Sequence, residues 1–214
     1  MVQIFSKSFN KIPRYFLFFL LFSFFSIIFI IWYFFSPWNT EVGYQPKQPI
    51  PYSHDLHVSK LGIDCRYCHI NVEKSPLAGI PSTKICMNCH VTIKNDSINL
   101  TNLNYSYEND TPIEWIRVNK LPDYVYFDHS THVLSGVGCF ECHGDISKMN
   151  VVKLEKPLSM QWCFDCHKNP YDNLRPLDKI TDMKWEKDSD WKNAVKSVYK
   201  NIQPPVESCS GCHR

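Results

Sequence analysis

The stretch from Tyr52 to His90 reads YSHDLHVSKLGIDCRYCHINVEKSPLAGIPSTKICMNCH. It contains two Cys-x-x-Cys-His motifs, and a pair of histidines three positions apart, His54 and His57, stands before the first of them. The same arrangement returns in the range Phe127–His167, and a fifth motif ends the chain. The sequence is therefore organised as two similar modules followed by a single further motif.

Cys-x-x-Cys-His is the attachment sequence of c-type haem. The two thiols of a motif form thioethers with the two vinyl groups of one porphyrin, and the histidine that follows ligates the iron. Five motifs therefore predict five covalently bound haems. The residues predicted to attach them are Cys65, Cys68, Cys86, Cys89, Cys139, Cys142, Cys163, Cys166, Cys209 and Cys212, and the proximal iron ligands are His69, His90, His143, His167 and His213.

Zinc sites and disulfides are the two alternatives for a chain with ten cysteines. A structural zinc site takes four ligands from paired Cys-x-x-Cys knuckles, and five knuckles each followed by histidine do not divide in that way. Disulfides within the motifs leave the five adjoining histidines without a role. Haem attachment accounts for all of these residues together.

Nine histidines divide into five within the motifs and four spare ones. Electron-transfer haems take histidine or methionine as the sixth iron ligand. We therefore predict that the spare histidines, His54, His57, His129 and His132, complete four haems. The fifth haem takes methionine, another group or no ligand; Met149 is the first methionine candidate and Met160 the second.

The fold class predicted from these motifs is a haem-packed domain of short α-helices and irregular coil. Few residues are available per porphyrin, so the porphyrins form the core and the polypeptide wraps round them. We expect this pentahaem cytochrome domain over residues 52–214, with its dihaem modules at 52–90 and 127–167 and the fifth motif at 209–213. Trp115, Tyr124, Tyr126 and Phe127 are expected to pack on porphyrin faces.

The N-terminus predicts a membrane anchor. Residues 1–14 are basic and cytoplasmic in this interpretation, and the 21 residues of Tyr15–Phe35 carry no charge, which is enough for a transmembrane helix. A cleaved signal peptide is the alternative, but its apolar region is shorter and ends in a small-residue site. Here Trp32, Tyr33, Pro37 and Trp38 follow instead, which is typical of an interfacial edge. We expect an uncleaved single-pass anchor in a bacterial inner membrane, with the haem domain in the periplasm.

Three further segments have their own composition. Residues 36–51 are rich in proline and predict an extended tether. Residues 91–112 are polar and asparagine-rich and predict a surface loop. Within the charged segment 177–200, the apolar spacing predicts one short amphipathic helix, built on Trp185, Trp191, Ala194, Val195 and Val198.

The formal net charge of the chain is +2. Five haems with their propionates bring the total to about −3. Such a balance excludes nucleic acid as a partner, because a nucleic-acid-binding chain carries a basic patch.

Five segments resemble the membrane-anchored pentahaem cytochrome of bacterial alternative complex III. The likeness covers about residues 48–176 and the terminal SCSGCHR, and it includes residues between the motifs as well as the motifs themselves. The segments are PYSHDLHVSKLGIDCRYCH, SPLAGIPSTKICMNCH, WIRVNKLPDYVYFDHSTHV, GVGCFECHGDI and PLSMQWCFDCHKNP. The paired histidines are also similar to those of small class III multihaem cytochromes, which implies that the two histidines of one pair serve different haems.

That resemblance implies an electron carrier with no turnover of its own. Its partners would be quinol-oxidising membrane subunits, an iron–sulfur subunit, and a periplasmic cytochrome c or terminal oxidase as acceptor. One alternative is a membrane-anchored quinol dehydrogenase feeding a periplasmic reductase, although the methionine typical of its first motif is missing after all five motif histidines. The other is a multihaem nitrite or hydroxylamine reductase, in which one haem has an open coordination position. This alternative is favoured because only four histidines lie outside the motifs to complete five haems.

Overall fold

The computed structural model describes residues 7–36, 41–199 and 207–213. The first six residues of the predicted cytoplasmic segment, and Pro37 and Trp38 of the predicted interfacial edge, lie outside the described residues. The chain divides into two compact units, Met1–Glu41 and Val42–Arg214.

The first unit is a single long helix. A 3₁₀ turn, Lys7–Lys11, leads into α1, Ile12–Phe35. The helix thus begins at Ile12 rather than at Tyr15, because Pro13 is well tolerated in a first helical turn. It ends where Ser36 turns extended and its hydroxyl donates to the carbonyl of Tyr33 at 2.8 Å.

The helix is apolar all round, and its side chains are almost all exposed. A water-soluble helix keeps a polar face, whereas a membrane span does not. At about 1.5 Å per residue, its 24 residues extend for roughly 36 Å, which exceeds the hydrocarbon thickness of a bilayer. By length and composition, α1 is sufficient to cross a membrane.

The second unit consists of short helices joined by coil, as the sequence predicts. Residues 41–199 and 207–213 contain no β-strand, only two isolated bridges, Val125–His213 and Val137–Leu174. A π-helical turn covers Asp55–Lys60, and 3₁₀ turns cover Ile98–Leu100, Ile146–Lys148, Pro170–Asn173 and Leu177–Lys179. The α-helices are α2 Cys65–Cys68, α3 Thr83–His90, α4 Thr101–Glu108, α5 His129–Leu134, α6 Cys139–His143, α7 Met160–Lys168, α8 Trp191–Tyr199 and α9 Cys209–Cys212.

The predicted tether spans residues 36–51, and its part from Glu41 onward begins with a turn and then forms backbone and side-chain contacts within the second unit. Gly43 donates to the carbonyl of Leu154 at 2.7 Å, and Leu154 donates back to the carbonyl of Tyr44 at 2.9 Å. Further along, the side chain of Gln48 bonds both backbone groups of Ile116. The second unit accordingly begins at Val42.

The asparagine-rich segment is not a loop, contrary to the prediction. It contains helix α4, in which Leu103 is only 2 % exposed. Leu103 packs with Ile50 and Met87 in one apolar cluster, to which Leu100 and Trp115 contribute. Leu100 and Leu103 lie three positions apart, so a single turn brings both onto the same helix face. The prediction of a loop was based on the polar composition of the segment, and the spacing of these two leucines was not taken into account.

The amphipathic helix predicted near the C-terminus is present as α8, and Val195 in it is buried. Trp185 precedes the helix instead of belonging to it, and its ring packs against the guanidinium of Arg175. The side chains of Ala194 and Val198 lie outside the described residues.

Candidate haem sites

Every Cys-x-x-Cys-His motif forms a helical turn. Helices α2, α6 and α9 begin at the first cysteine of a motif, α3 ends at the motif histidine His90, and α7 contains the fourth motif. Residues three positions apart on a helix share one face, so each turn directs its two thiols to the same side. All ten thiols are unbridged in the structure. The local geometry is the one that attachment to two vinyl groups of one ring requires.

The two upstream histidine pairs have the same surroundings. The ring of Tyr52 lies nearly parallel to His57, at 4.4 Å between centroids and 22°, and nearly perpendicular to His54, at 4.8 Å and 86°. The ring of Phe127 does the same with His132, at 4.7 Å and 27°, and with His129, at 4.7 Å and 86°. The two modules are therefore internal repeats, in which an aromatic ring fixes the angle between the paired imidazoles.

Two spare histidines face motif histidines. The ring centroids of His57 and His90 are 6.2 Å apart, and those of His132 and His167 are 6.1 Å apart. With about 2.0 Å for each metal–nitrogen bond and about 1.2 Å from nitrogen to ring centre, two imidazoles on opposite sides of one metal would have centroids about 6.4 Å apart. The observed separations, 6.2 Å and 6.1 Å, are close to that value, so each pair is placed as two axial ligands of one iron would be.

Backbone carbonyls hold the other nitrogen of five of these rings. When a carbonyl accepts from Nδ1, that nitrogen carries the proton, and Nε2 keeps its lone pair for a metal. The contacts from Nδ1 to carbonyl oxygen are His57 to Ser53 at 2.8 Å, His69 to Gly79 at 2.8 Å, His90 to Ile93 at 3.0 Å, His129 to Pro76 at 2.8 Å and His132 to Asp128 at 2.7 Å.

His54 and His143 are held differently. Their Nδ1 atoms are buried and have no hydrogen-bond partner. The pKa of His54 is lowered to about 4, first by burial and then by the neighbouring His69; the pKa of His143 is lowered to about 4 by burial and then by His129. Both rings are therefore neutral at physiological pH, which is the form that ligates metal. The first electrostatic neighbour of His54 is His69, followed by His57 and His143, and that of His143 is His129, followed by His69.

Met149, Met160 and the fifth motif, which together bear on the sixth ligand of the fifth haem, lie in three different parts of the second unit. The carbonyl of Met149, a buried residue, accepts from the backbone of Asp55 at 3.2 Å, which places Met149 beside the first histidine pair. Met160 is exposed at the start of α7, one turn before Cys163. The ring of His213 lies 5.8 Å from that of Tyr124.

The thiols are not grouped as a zinc site would require. Within the described ranges, no three side chains of His, Cys, Asp or Glu come together in a group that could hold a metal ion. Burial raises the pKa of Cys68, Cys86 and Cys163, and that of Cys142 to about 12.

A buried arginine braces the third motif, and the sequence interpretation did not include it. Arg175 is 3 % exposed; it donates to Glu141 inside the motif at 2.7 Å and to the carbonyl of Asp182 at 2.9 Å. Gly138 leaves room for it, because a Cβ there would lie 2.1 Å from the Nε of Arg175. The acidic residue between the two cysteines of C-F-E-C was the one sequence signal for this contact.

We expect Glu141→Gln to lower the free energy of unfolding by about 3 kcal/mol, because it leaves the charge of buried Arg175 unpaired. The matched control is Asp172→Asn, which breaks an exposed ion pair with Lys187, leaves the contact of Lys187 with the ring of Trp191, and is expected to cost about 0.5 kcal/mol or less. Denaturant unfolding of the two variants measures both values. Equal effects would mean that the buried pair contributes no more than a surface one.

The comparisons with known proteins agree with this chemistry. No family model matches the chain. Over 100 residues, 46 % of its length, the chain is 34 % identical to the multiheme cytochrome c subunit of menaquinone reductase from Nitratidesulfovibrio vulgaris, strain Hildenborough. The chain spans about half of that relative, 47 % of its length. Over that part, it is similar to a multihaem c-type cytochrome subunit of a quinone-linked complex.

Proposed function

We propose that this chain is a membrane-anchored pentahaem cytochrome c that relays electrons and has no turnover of its own. The observation that carries the proposal is the facing of spare and motif imidazoles at the separation of two axial iron ligands, 6.2 Å and 6.1 Å. When bound, each haem supplies a one-electron iron couple. The polypeptide supplies attachment, axial ligands and spacing.

The ligand sets follow from the pairs described above. His57 with His90 and His132 with His167 serve the second and fourth motifs. His54 with His69 and His129 with His143 are assigned to the first and third, because His69 is the first electrostatic neighbour to lower the pKa of His54 and His129 the first to lower that of His143. In this assignment the two histidines of one pair serve different haems, as the resemblance to small multihaem cytochromes implies.

The sixth ligand of the fifth haem is a methionine, another group or missing. Met149 is engaged beside the first histidine pair, whereas Met160 belongs to α7, whose Cys163 interacts electrostatically with Cys212 of the fifth motif. These neighbours favour Met160 over Met149, the reverse of the order expected from sequence. If the sixth coordination position of the fifth haem is open, the chain could still be a nitrite or hydroxylamine reductase.

In this proposal α1 anchors the chain in a bacterial inner membrane, with the N-terminus in the cytoplasm and the haem domain in the periplasm. The apolar surface of α1 supports the anchor. The complex would be alternative complex III, with quinol-oxidising and iron–sulfur subunits on one side and a cytochrome c or terminal oxidase on the other. A single span cannot enclose a quinone site within a helical bundle, so quinol chemistry belongs to the partners.

A second direction of flow is favoured by the name of the relative, which is a subunit of a menaquinone reductase. The same set of haems conducts electrons either way, and the potentials of the donor and the acceptor decide the direction. In that case the chain would deliver electrons to membrane subunits that reduce menaquinone.

Membranes that contain the chain provide the test. We expect menaquinol to reduce its haems when the polytopic and iron–sulfur subunits copurify, and to leave them oxidised when the chain is isolated. A strong chemical reductant reduces the isolated chain and is the control for intact haems. Quinol oxidation by the isolated chain would support the quinol dehydrogenase alternative. Reoxidation of prereduced haems by menaquinone in the complex would support the second direction.

A further inference from the structure

The sequence order of the five motifs is not their order in space. Resting on the pentahaem function proposed above, we propose that the haems follow one another in the order second, first, third, fourth, fifth motif. The second and fifth motifs are then the two ends, at which electrons enter and leave. Four links between neighbouring motifs carry this order.

The second motif adjoins the first. The amide of Asn88, between the cysteines of the second motif, donates to the hydroxyl of Tyr67, between the cysteines of the first, at 3.0 Å. These two attachment turns are thus in direct contact.

The first motif adjoins the third through a two-residue segment. Asp64, which caps α2, accepts from the hydroxyl of Thr181 at 2.8 Å. The preceding residue, Ile180, accepts at its carbonyl from the backbone of Cys139 at 3.2 Å. Adjacent residues of one segment therefore hold the starts of α2 and α6, although the first and third motifs are separated in sequence by the second.

The third motif adjoins the fourth through residues 173–175. Arg175 donates to Glu141 inside the third motif at 2.7 Å, and the amide of Asn173 donates to the sulfur of Cys166 in the fourth at 3.4 Å.

The fourth motif adjoins the fifth through the strip 125–127. Val125 forms an isolated bridge with His213, and Tyr126 donates to the carbonyl of Cys212 at 2.8 Å. The next residue, Phe127, stacks on His132, whose ring faces His167 of the fourth motif. The distal ligand of the fourth motif and the loop of the fifth are therefore held by consecutive residues.

The exposure of the motif cysteines agrees with the placing of the second and fifth motifs at the two ends. Cys89 of the second motif and Cys209 of the fifth are the exposed cysteines, and the other eight are partly buried. Each transfer moves one electron from a ferrous haem to its ferric neighbour, and no bond forms or breaks. The terminal donor is a reduced iron–sulfur or haem protein, and the terminal acceptor is an oxidised haem protein.

A photoreducible ruthenium complex attached at one end tests the order in the full-length chain. The label is attached through Asp123→Cys, an exposed position next to Tyr124 at the fifth motif. The motif thiols are consumed by haem attachment, so the new thiol alone reacts. After a light flash, the ruthenium label passes an electron to the haem beside it, and the electron spreads to every haem connected with that one. The size of the fast change in haem absorbance therefore measures how many haems are connected to this end.

Two matched variants remove one haem each. Cys86→Ser with Cys89→Ser removes the second-motif haem, which is the end away from the label. All four remaining haems stay connected and are expected to contribute to the fast absorbance change. Cys65→Ser with Cys68→Ser removes the neighbour of that end and isolates the second-motif haem, so about one quarter of the fast change is lost. If this second variant does not fold, the first still tests the proposal against the sequence order, because the loss of one quarter of its fast change would overturn the proposal.

The reverse pattern would mean that the haems follow the sequence order, since removal of the second motif would then isolate the first. Full reduction in both variants would mean a branched arrangement, and this result would also overturn the proposal. The haems in each variant are counted by intact mass. A wild-type chain without five haems would refute the proposed function itself, and that result is separate from the order.

Discussion

Replacing His57 with alanine is expected to convert one ferric haem from low to high spin. His57 faces His90 at the separation of an axial pair, and the ring that replaces it would have to come from elsewhere in the chain. All nine histidines are already assigned, so no spare one can substitute. His132→Ala is the equivalent change in the second module and is expected to affect one haem in the same way. Electron paramagnetic resonance and the high-spin absorption bands report both changes.

The control comes from the repeat itself. Tyr52→Phe creates in the first module the aromatic residue that Phe127 provides in the second, so the stacking on His57 is kept and no haem is expected to change spin. His54→Ala and His129→Ala complete the series. If two of the four histidine variants leave the spectrum unchanged, the division into proximal and distal ligands is incorrect.

Changing both Cys209 and Cys212 to serine is expected to remove one whole haem from the protein. The fifth motif forms its own turn, α9, so the other four attachment turns keep their thiols and histidines. Intact mass spectrometry is expected to find five porphyrin additions in the wild type and four in the variant. Ser210→Ala, inside the same turn, is the control and keeps five. Four additions in the wild type would show that the terminal motif is not used.

The helical turns of the five motifs could be predicted from the sequence, because they depend on local spacing. Two cysteines three positions apart need only one helical turn to bring their thiols together, and all five motifs form that turn. The paired histidines were equally local, since Tyr52 and Phe127 fix them within six residues. The short helices and coil of the second unit followed from the small amount of chain for each motif.

Contacts between distant segments were not predictable in the same way. The interaction of Asp64 with Thr181 joins residues 117 positions apart, and that of Arg175 with Glu141 joins residues 34 apart. No spacing rule links such pairs, and each is decided by how the whole chain packs. Helix α4 was missed for a related reason, because Leu103 is buried by Ile50 and Met87 from other segments.

The small apolar core has a consequence for how a cell makes this protein. Among the described residues, ten apolar side chains are buried, and no large side chain has less than 2 % of its surface exposed. Polypeptide packing on that scale contributes little toward the free energy that conformational entropy opposes. If the proposed haems complete this core, folding and haem attachment would form a single maturation step, and a chain that has received no haem would be a substrate for proteases. We therefore expect the cellular abundance of the protein to follow the supply of haem.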